Sequence, residues 1–256
     1  MQAWDHSPSR SVPAMLQRHV VQWRRAAPVH IAPDRPVVTF TFDDFPKSAL
    51  AGADAVEAAG GHAGFYASTS FIGTRNRIVG EMFDAATLTE LRARGHEIGA
   101  HTHAHIDCAG SAVATVERDV GANLVQLTQA GHTDTVSSFA YPHGETSFAA
   151  KRWAANVFAT ARGVMPGLNN GDVDRAHLRA VELGDSAASR RRAIAMLKTC
   201  VETKSWLIFF THDVSPTPSP HGVSQTLIAE LANQARDEGA ALLGPTLGAV
   251  LAGVMD

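Results

Sequence analysis

The sequence predicts an α/β fold, a barrel of the (β/α) kind with seven or eight parallel strands, whole or short of one unit. Three observations lead there. Short β-branched or aromatic runs alternate with longer amphipathic stretches along most of the chain. Parallel neighbours need a crossover, so strands joined by helices imply a parallel sheet. A length of 256 residues matches the roughly 250 such a barrel takes. Apolar residues at 45% and charged residues at 18% exclude a disordered or fibrous chain.

Residues 1–35 read as an N-terminal arm with a short amphipathic helix carrying Met15, Leu16, Val20 and Trp23. The opening is polar or charged throughout and lacks the apolar run of an export signal, which leads us to expect a cytoplasmic protein. Residues 36–256 read as one barrel domain. Its strands are expected at Val37–Phe42, Ala63–Ala67, Glu97–Ala100, Ser138–Tyr141, Phe158–Ala161, Arg179–Leu183, Trp206–Phe210 and Ala241–Leu243. Helices are expected at Lys47–Ala59, Ala85–Arg94, Ala112–Gln129, Phe148–Asn156, Ala187–Glu202 and Ser224–Glu238. In the third helix Val113, Val116, Val120, Leu124 and Leu127 form a stripe at three- and four-residue steps, the mark of a buried face. Gly60–Gly61, Gly95 and Gly131 follow helix ends, where a left-handed cap favours glycine. No linker, repeat or low-complexity segment divides the chain.

Composition also narrows function. A net charge of −3 gives no nucleic-acid footprint. The run from Ala240 to Met255 is broken by Gly244 and Pro245, and no 18-residue apolar stretch predicts a membrane span. Two cysteines, Cys108 and Cys200, are too few for a disulfide scaffold. Histidine stands out, with 13 copies, several of them bunched.

Four motifs fall at the carboxyl ends of expected strands, which in a (β/α) barrel share the catalytic face. Thr39-Phe40-Thr41-Phe42-Asp43-Asp44 ends in two acids. Adjacent carboxylates repel, so their pairing costs free energy unless a cation or proton relieves it; the bland alternative is a turn or helix cap. Gly99-Ala100-His101-Thr102-His103-Ala104-His105 places two imidazoles four apart, on one face if the segment makes a helical turn. Two such ligands leave positions for a carboxylate and water. His103 would face away, as an exposed or outer histidine. A competing ligand set draws on Cys108, suited to a closed structural zinc site. Phe139-Ala140-Tyr141-Pro142-His143-Gly144 ends in a proline-glycine turn, either a plain loop or a backbone N–H and side chain facing substrate. Trp206-Leu207-Ile208-Phe209-Phe210-Thr211-His212-Asp213 ends in a histidine, either core or catalytic.

Together these residues resemble the NodB-homology polysaccharide deacetylases, carbohydrate esterase family four. The resemblance runs from about Pro36 to Ala252. It implies a distorted, NodB-like (β/α) barrel and a hydrolase removing acetyl groups from sugars with one divalent metal, zinc first, with cobalt, nickel or manganese as alternatives. By this resemblance Asp44, His101 and His105 hold the metal, Asp43 is the general base and His212 the general acid. His143, through its backbone N–H, with Tyr141 and Pro142, forms the oxyanion and substrate side. Such a metal lowers the pKa of water from 15.7 to about 7, and imidazole, with an ordinary pKa of about 6.5, suits an acid that protonates a leaving amine.

The chain departs from the family pattern in three places. Phe45 stands where many relatives have glycine. Ala140-Tyr141-Pro142-His143 stands where Arg-x-Pro-Tyr is usual, so the arginine that orients the base is missing there; Arg162 or Arg179 could replace it. The aspartate that tunes the acid histidine is sought at Asp174 or Asp185. The leading expectation is an N-deacetylase of N-acetylglucosamine-type residues in a bacterial exopolysaccharide, such as a holdfast-like adhesin, or in its lipid-linked or oligosaccharide precursor. Two alternatives stand beside it: hydrolysis of a small cyclic amide or imide on the same barrel, and a non-catalytic carbohydrate-binding descendant. An open groove with Phe45, Tyr66, Phe71, Tyr141 and Trp153 exposed would favour polysaccharide. Of the other histidines, His6, His19, His30, His132, His177 and His221 read as ordinary surface or loop residues, and His62, His96 and His103 are left undecided.

Overall fold

A computed structural model describes residues 20–244. Met15 and Leu16 of the expected arm helix, His6, His19 and the run beyond Gly244 lie outside the described residues.

The centre of the fold is β2 (Val37–Asp43), a strand covered on both faces and buried at every position; its threonines are satisfied inside, Thr41 Oγ1 donating to the Phe209 carbonyl and Thr39 Oγ1 accepting from the Trp206 indole N–H. It follows β1 (Pro28–Ile31), a strand at the periphery. After β2 come α1 (Leu50–Ala58), β3 (Gly64–Ala67), a small hairpin of β4 (Arg75–Asn76) and β5 (Gly80–Glu81), α2 (Ala85–Ala93) and β6 (Glu97–Ala100). The chain continues through α3 (Val113–Gln129), β7 (Ser138–Ala140), α4 (Phe148–Val157), β8 (Thr160–Arg162), β9 (Gly171–Asp174), β10 (Val181–Glu182), α5 (Ala187–Thr203), β11 (Trp206–Thr211), α6 (Gln225–Asp237) and β12 (Ala241–Leu242).

Seven parallel strands run in the order β10-β11-β2-β3-β6-β7-β8, and β12 adds to the start of β2. The two ends of that path meet: Arg162 bridges Leu178 in parallel, the Gly163 N–H donates to the Leu178 carbonyl, and the Leu178 N–H donates to the Ala161 carbonyl. The result is the distorted (β/α) barrel expected. Helix residues Val56, Leu88, Leu91, Leu127, Leu197 and Leu231 close the outer layer in one core with Phe40, Phe42 and Phe209. Three helix starts carry side-chain caps. Asp84 and Thr87 form a capping box for α2, and Ser147 and Ser186 accept from the third residue of α4 and α5.

Three differences from the sequence reading have physical causes. The expected strand Arg179–Leu183 shortens to β10, because the Arg179 N–H donates to Asn169 Oδ1 and the Ala180 N–H to the Met165 carbonyl instead of to a barrel strand. β9 was not foreseen; it is short, polar and paired antiparallel only with β1, so it lacks the apolar run that marks a barrel strand. Residues 28–31, read as arm, are therefore sheet.

Register aligns the strand ends. Thr211 pairs with Phe42, Asp43 with Tyr66, Ala67 with Ala100, Ala100 with Phe139, and Ala140 with Arg162. The residues that follow these pairs share one rim.

Candidate metal centre and active site

Asp43 and Asp44 close β2, and both are buried. Asp44 has φ 55°, a left-handed backbone that non-glycine residues seldom adopt. The turn swings its carboxylate toward the loop after β6, where His101 and His105 are also buried. The Nε2 atoms of His101 and His105 lie 3.6 Å and 3.4 Å from Asp44 Oδ1. The three ligand atoms fall within 4.8 Å of one another, and no other group of three or more histidines, cysteines or acids among the described residues is so placed. The Cys108 alternative drops out: that thiol is buried beside the Ile106 carbonyl, outside the cluster.

His101 and His105 do not share a helical turn. Thr102 and His105 have φ of 62° and 52°, so the segment is a loop, and its folding back brings the two rings to 5.0 Å between centroids. Residues of α3 hold that loop. Asp119 accepts from the N–H groups of His103 and Ala104, and the buried Asn123 amide donates to the Thr102 and Ala67 carbonyls. His103 turns its Nδ1 to Thr69 Oγ1, away from the cluster.

The donor set fits a divalent metal. Bonds of about 2.0–2.2 Å at tetrahedral angles set ligand atoms about 3.4 Å apart, near the separations seen. Asp44 Oδ1 is buried with no hydrogen-bond partner. Burial pushes Asp44 up to about 7, with Asp43 adding to the rise and His212 and Ser68 opposing it. His101 is held well below the usual imidazole value, by burial first and by His105 second. Its Nδ1 lies 2.7 Å from the Ala140 carbonyl, which can only accept, so the neutral ring carries its lone pair on Nε2, facing Asp44. A buried carboxylate beside two imidazole rings is a donor set that zinc, cobalt, nickel or manganese would suit.

Asp43 has its own partner. Arg162, at the carboxyl end of β8 and fully buried, donates through Nη2 to Asp43 Oδ1. Its guanidinium also lies 4.7 Å from the Tyr66 ring centroid and 5.2 Å from that of Phe210. Of the two arginines proposed from sequence, the structure brings Arg162 to the base; Arg179 is exposed at Pro166.

A cleft of about 240 Å³ joins Asp43, Asp44, His101, His105, His143 and His212. His212 follows β11, the strand paired with β2, and its Nδ1 lies 3.2 Å from the His221 carbonyl. The sequence reading missed two polar residues lining this cleft, Glu182 and His221. Glu182 ends β10, but the expected strand ran on to Leu183, so the strand-end rule pointed past it. His221 acts through a carbonyl in a loop and gives no sequence signal.

Several expectations are corrected. Tyr141 does not face substrate: its hydroxyl donates to the Ala176 carbonyl, its ring packs on Phe139 at 4.9 Å, and its N–H donates to the Arg162 carbonyl. Pro142 is buried beneath the turn. His143, with φ 59°, does line the cleft. Asp174 is bound to Lys151 and to the N–H groups of Ala26 and Ala27, and Asp185 caps Ser224, so neither tunes His212. Phe45, Tyr66 and Tyr141 are buried, and Phe71 and Trp153 pack against the core, so they form no exposed aromatic platform. His132 is buried and His177 lines a second cleft.

Residues 30–160, half of the chain, match the family profile described as Polysaccharide deacetylase. No curated protein matches. Among solved structures the chain is similar to a family 4 acetyl xylan esterase from Clostridium thermocellum in complex with a cobalt ion (19% identity, TM-score 0.59, 84% of this chain and 90% of that one). It is also similar to the peptidoglycan deacetylase PdaC from Bacillus subtilis (15% identity, TM-score 0.57, 87% and 94%). A third is a mutant, with restored enzymatic activity, of a pseudoenzyme of carbohydrate esterase family four (10% identity, TM-score 0.60, 88% and 69%). At these identities the likeness is one of fold.

Proposed function

The chain belongs to the polysaccharide deacetylase family, and from that premise we propose that it is a metal-dependent hydrolase removing N-acetyl groups from N-acetylglucosamine-type units of a bacterial exopolysaccharide, such as a holdfast-like adhesin, or of its precursor. One observation carries the reading: Asp43 paired to Arg162, the Asp44–His101–His105 cluster and His212 meet in a single cleft.

Asp44, His101 and His105 would hold a divalent metal, which would supply Lewis acidity and lower the pKa of water. The chain's own residues do the rest. Arg162 fixes one oxygen of Asp43 and leaves the other to take the proton from attacking water. The His143 backbone N–H at the strained turn helps to hold the acetyl oxygen as charge builds there. Nδ1–H of His212 donates to the His221 carbonyl, which sets the ring so that Nε2 delivers a proton to the departing nitrogen. Glu182 lines the same cleft. The cobalt in the acetyl xylan esterase structure supports testing cobalt beside zinc.

The non-catalytic alternative rested on a missing arginine, and Arg162 places a guanidinium on Asp43. The test is acetate release from N-acetylglucosamine oligomers by chelator-treated protein, with and without zinc or cobalt, alongside Asp43→Ala and His101→Ala. Metal-dependent release lost in both variants supports the proposal. Absence of release from every acetylated sugar, with turnover of a cyclic amide in the same assay, would replace it by the small-molecule reading.

A further inference from the structure

The strand that ends at His212 runs on into a proline-rich loop, Asp213-Val214-Ser215-Pro216-Thr217-Pro218-Ser219-Pro220-His221-Gly222-Val223. Proline stands at every second position from 216 to 220. Its ring fixes φ near about −65° and removes a donor, so the stretch is stiff yet has few hydrogen bonds of its own to shape it. Side chains have to close it.

Asp213 closes it. The residue is buried, and its carboxylate accepts from the Ser219 N–H at 2.9 Å through Oδ2 and from the Ser219 hydroxyl through Oδ1. Its carbonyl accepts from the Val223 N–H at 2.9 Å, and the Ser215 N–H donates to the Val223 carbonyl, so the two ends of the loop lie side by side. Ser219 passes the grip on. Its Oγ accepts from the His221 N–H at 3.2 Å and its carbonyl from the Gly222 N–H at 3.0 Å. A Cβ at position 222 would fall 2.3 Å from Asp213 Oδ1, so the returning chain passes the carboxylate only as glycine.

What the closed loop delivers is the His221 carbonyl. That oxygen accepts from the His212 N–H at 3.1 Å and from the Thr211 hydroxyl at 3.2 Å, and it lies 3.2 Å from His212 Nδ1. A carbonyl can only accept, so Nδ1 keeps its proton and Nε2 is left to exchange one. Asp174 and Asp185, the carboxylates sought for this task, are engaged with Lys151 and Ser224.

We propose that Asp213 is a positioning residue for the acid: by clipping Ser219 it holds the His221 carbonyl against His212 Nδ1, and so keeps the ring oriented to protonate the departing nitrogen. The proposal rests on the deacetylase reading for the role of His212. As the C–N bond breaks, the Nε2 proton passes to the nitrogen, Nδ1 keeps its own against the carbonyl, and the ring is left neutral. Without the clip the loop no longer fixes the carbonyl, and the ring loses the partner that orients it.

The test compares wild type, Asp213→Ala, Asp213→Asn and Ser219→Ala on the N-acetylglucosamine trimer and on 4-nitrophenyl acetate. The aryl oxide leaves without protonation, so the ester needs the base but not the acid. We expect Asp213→Ala to lower kcat on the trimer with KM little changed. The ratio of amide to ester turnover should fall about 10- to 100-fold, part of the roughly 10²–10⁴ that a positioned acid supplies. Asp213→Asn, which can still accept the Ser219 N–H and donate to its hydroxyl, should recover most of the ratio. Ser219→Ala should lower it in the same direction, and it carries the test if Asp213→Ala fails to fold. Equal loss on both substrates, or an unchanged ratio, overturns the proposal. Nitrogen-15 spectra of the chelator-treated protein at alkaline pH, with His212 assigned through His212→Gln, give a reading free of turnover: the Nδ1–H tautomer in wild type and a mixture in Asp213→Ala. The same tautomer in both overturns the clip, whatever the acetate assay shows. The expected spectra without acetate release from any acetylated sugar uphold the clip and overturn the deacetylase reading instead.

Discussion

Replacing Arg162 by Met removes a guanidinium while keeping much of its bulk. The side chain is buried, pairs with Asp43 and lies against the Tyr66 and Phe210 rings. Without it, Asp43 is left in the barrel beside Asp44 with no cation among its partners. Removing one member of a buried ion pair costs about 3–5 kcal/mol, far more than the ~0–1 kcal/mol of an exposed pair. Urea unfolding of chelator-treated protein at pH 7 reads that loss. A double-mutant cycle with Asp43→Asn isolates the pair: the coupling should be about 1.5 kcal/mol or more, because a neutral amide in place of the carboxylate no longer needs the cation. Acetate release should fall toward that of Asp43→Ala, since a positioned base contributes about 10²–10⁴-fold. Additivity within about 0.5 kcal/mol, or wild-type acetate release by Arg162→Met, refutes the claim that Arg162 holds the base.

Three further outcomes follow from other parts of the molecule. Zinc added to chelator-treated protein should raise its stability by about 2.7 kcal/mol at a hundred times the dissociation constant, and His101→Ala should abolish the gain in the same unfolding assay; an equal gain in both proteins removes the metal from this cluster. Glu97, at the start of β6, is raised from 4.5 to about 8 by burial, against the opposing bonds from Ser138 and Ser137. Between those values the folded state keeps a proton that the unfolded state has lost, so stability falls as pH rises from 4.5 through 8. At ~1.36 kcal/mol per unit the loss is on the order of 4 kcal/mol, and Glu97→Gln should flatten it in unfolding curves at pH 5 and 8. Lys151→Met strands Asp174 and frees the segment before β1, so hydrogen exchange at Ala26 and Ala27 should quicken and stability should drop by about 3–5 kcal/mol; unchanged exchange refutes the role given to this ion pair.

The barrel was legible because its central strands are long and apolar. Val37–Asp43 and Trp206–Thr211 are buried at every position and rich in β-branched and aromatic residues, and each gives way to a polar side chain, at Asp43 and at His212. Strand ends then share a rim by topology alone, and this grouped Asp44, His101, His105 and His143 before any distance was known. What stayed hidden was orientation. Arg162 and Arg179 are equivalent in sequence, yet one ends β8 facing inward and the other sits exposed on a loop. Tyr66 and Tyr141 read as rings for a sugar to stack on, but a narrow barrel fills its interior with large side chains, and both serve that purpose. The pairing of β1 with β9 was hidden too, since partners such as His30 and Asp172 are exposed and carry no apolar signal.

Backbone strain explains where the chemistry collects. Five described non-glycine residues have positive φ, and four of them are Asp44, Thr102, His105 and His143. The fifth, Lys204, caps a helix end, where that conformation is ordinary. Such positions cost about 1–3 kcal/mol each and persist only where the surroundings over-determine them. Here the surroundings can be named: Asp119 and Asn123 of α3 grip the loop through His103, Ala104 and Thr102, Thr102 Oγ1 accepts from the Ile106 N–H, and Ser68 donates to the His101 carbonyl. Folding on the described scaffold therefore stabilises left-handed backbone at Thr102 and His105 that a relaxed chain would avoid. Polar side chains on a neighbouring helix thus hold the loop that carries two of the three ligand residues, His101 and His105.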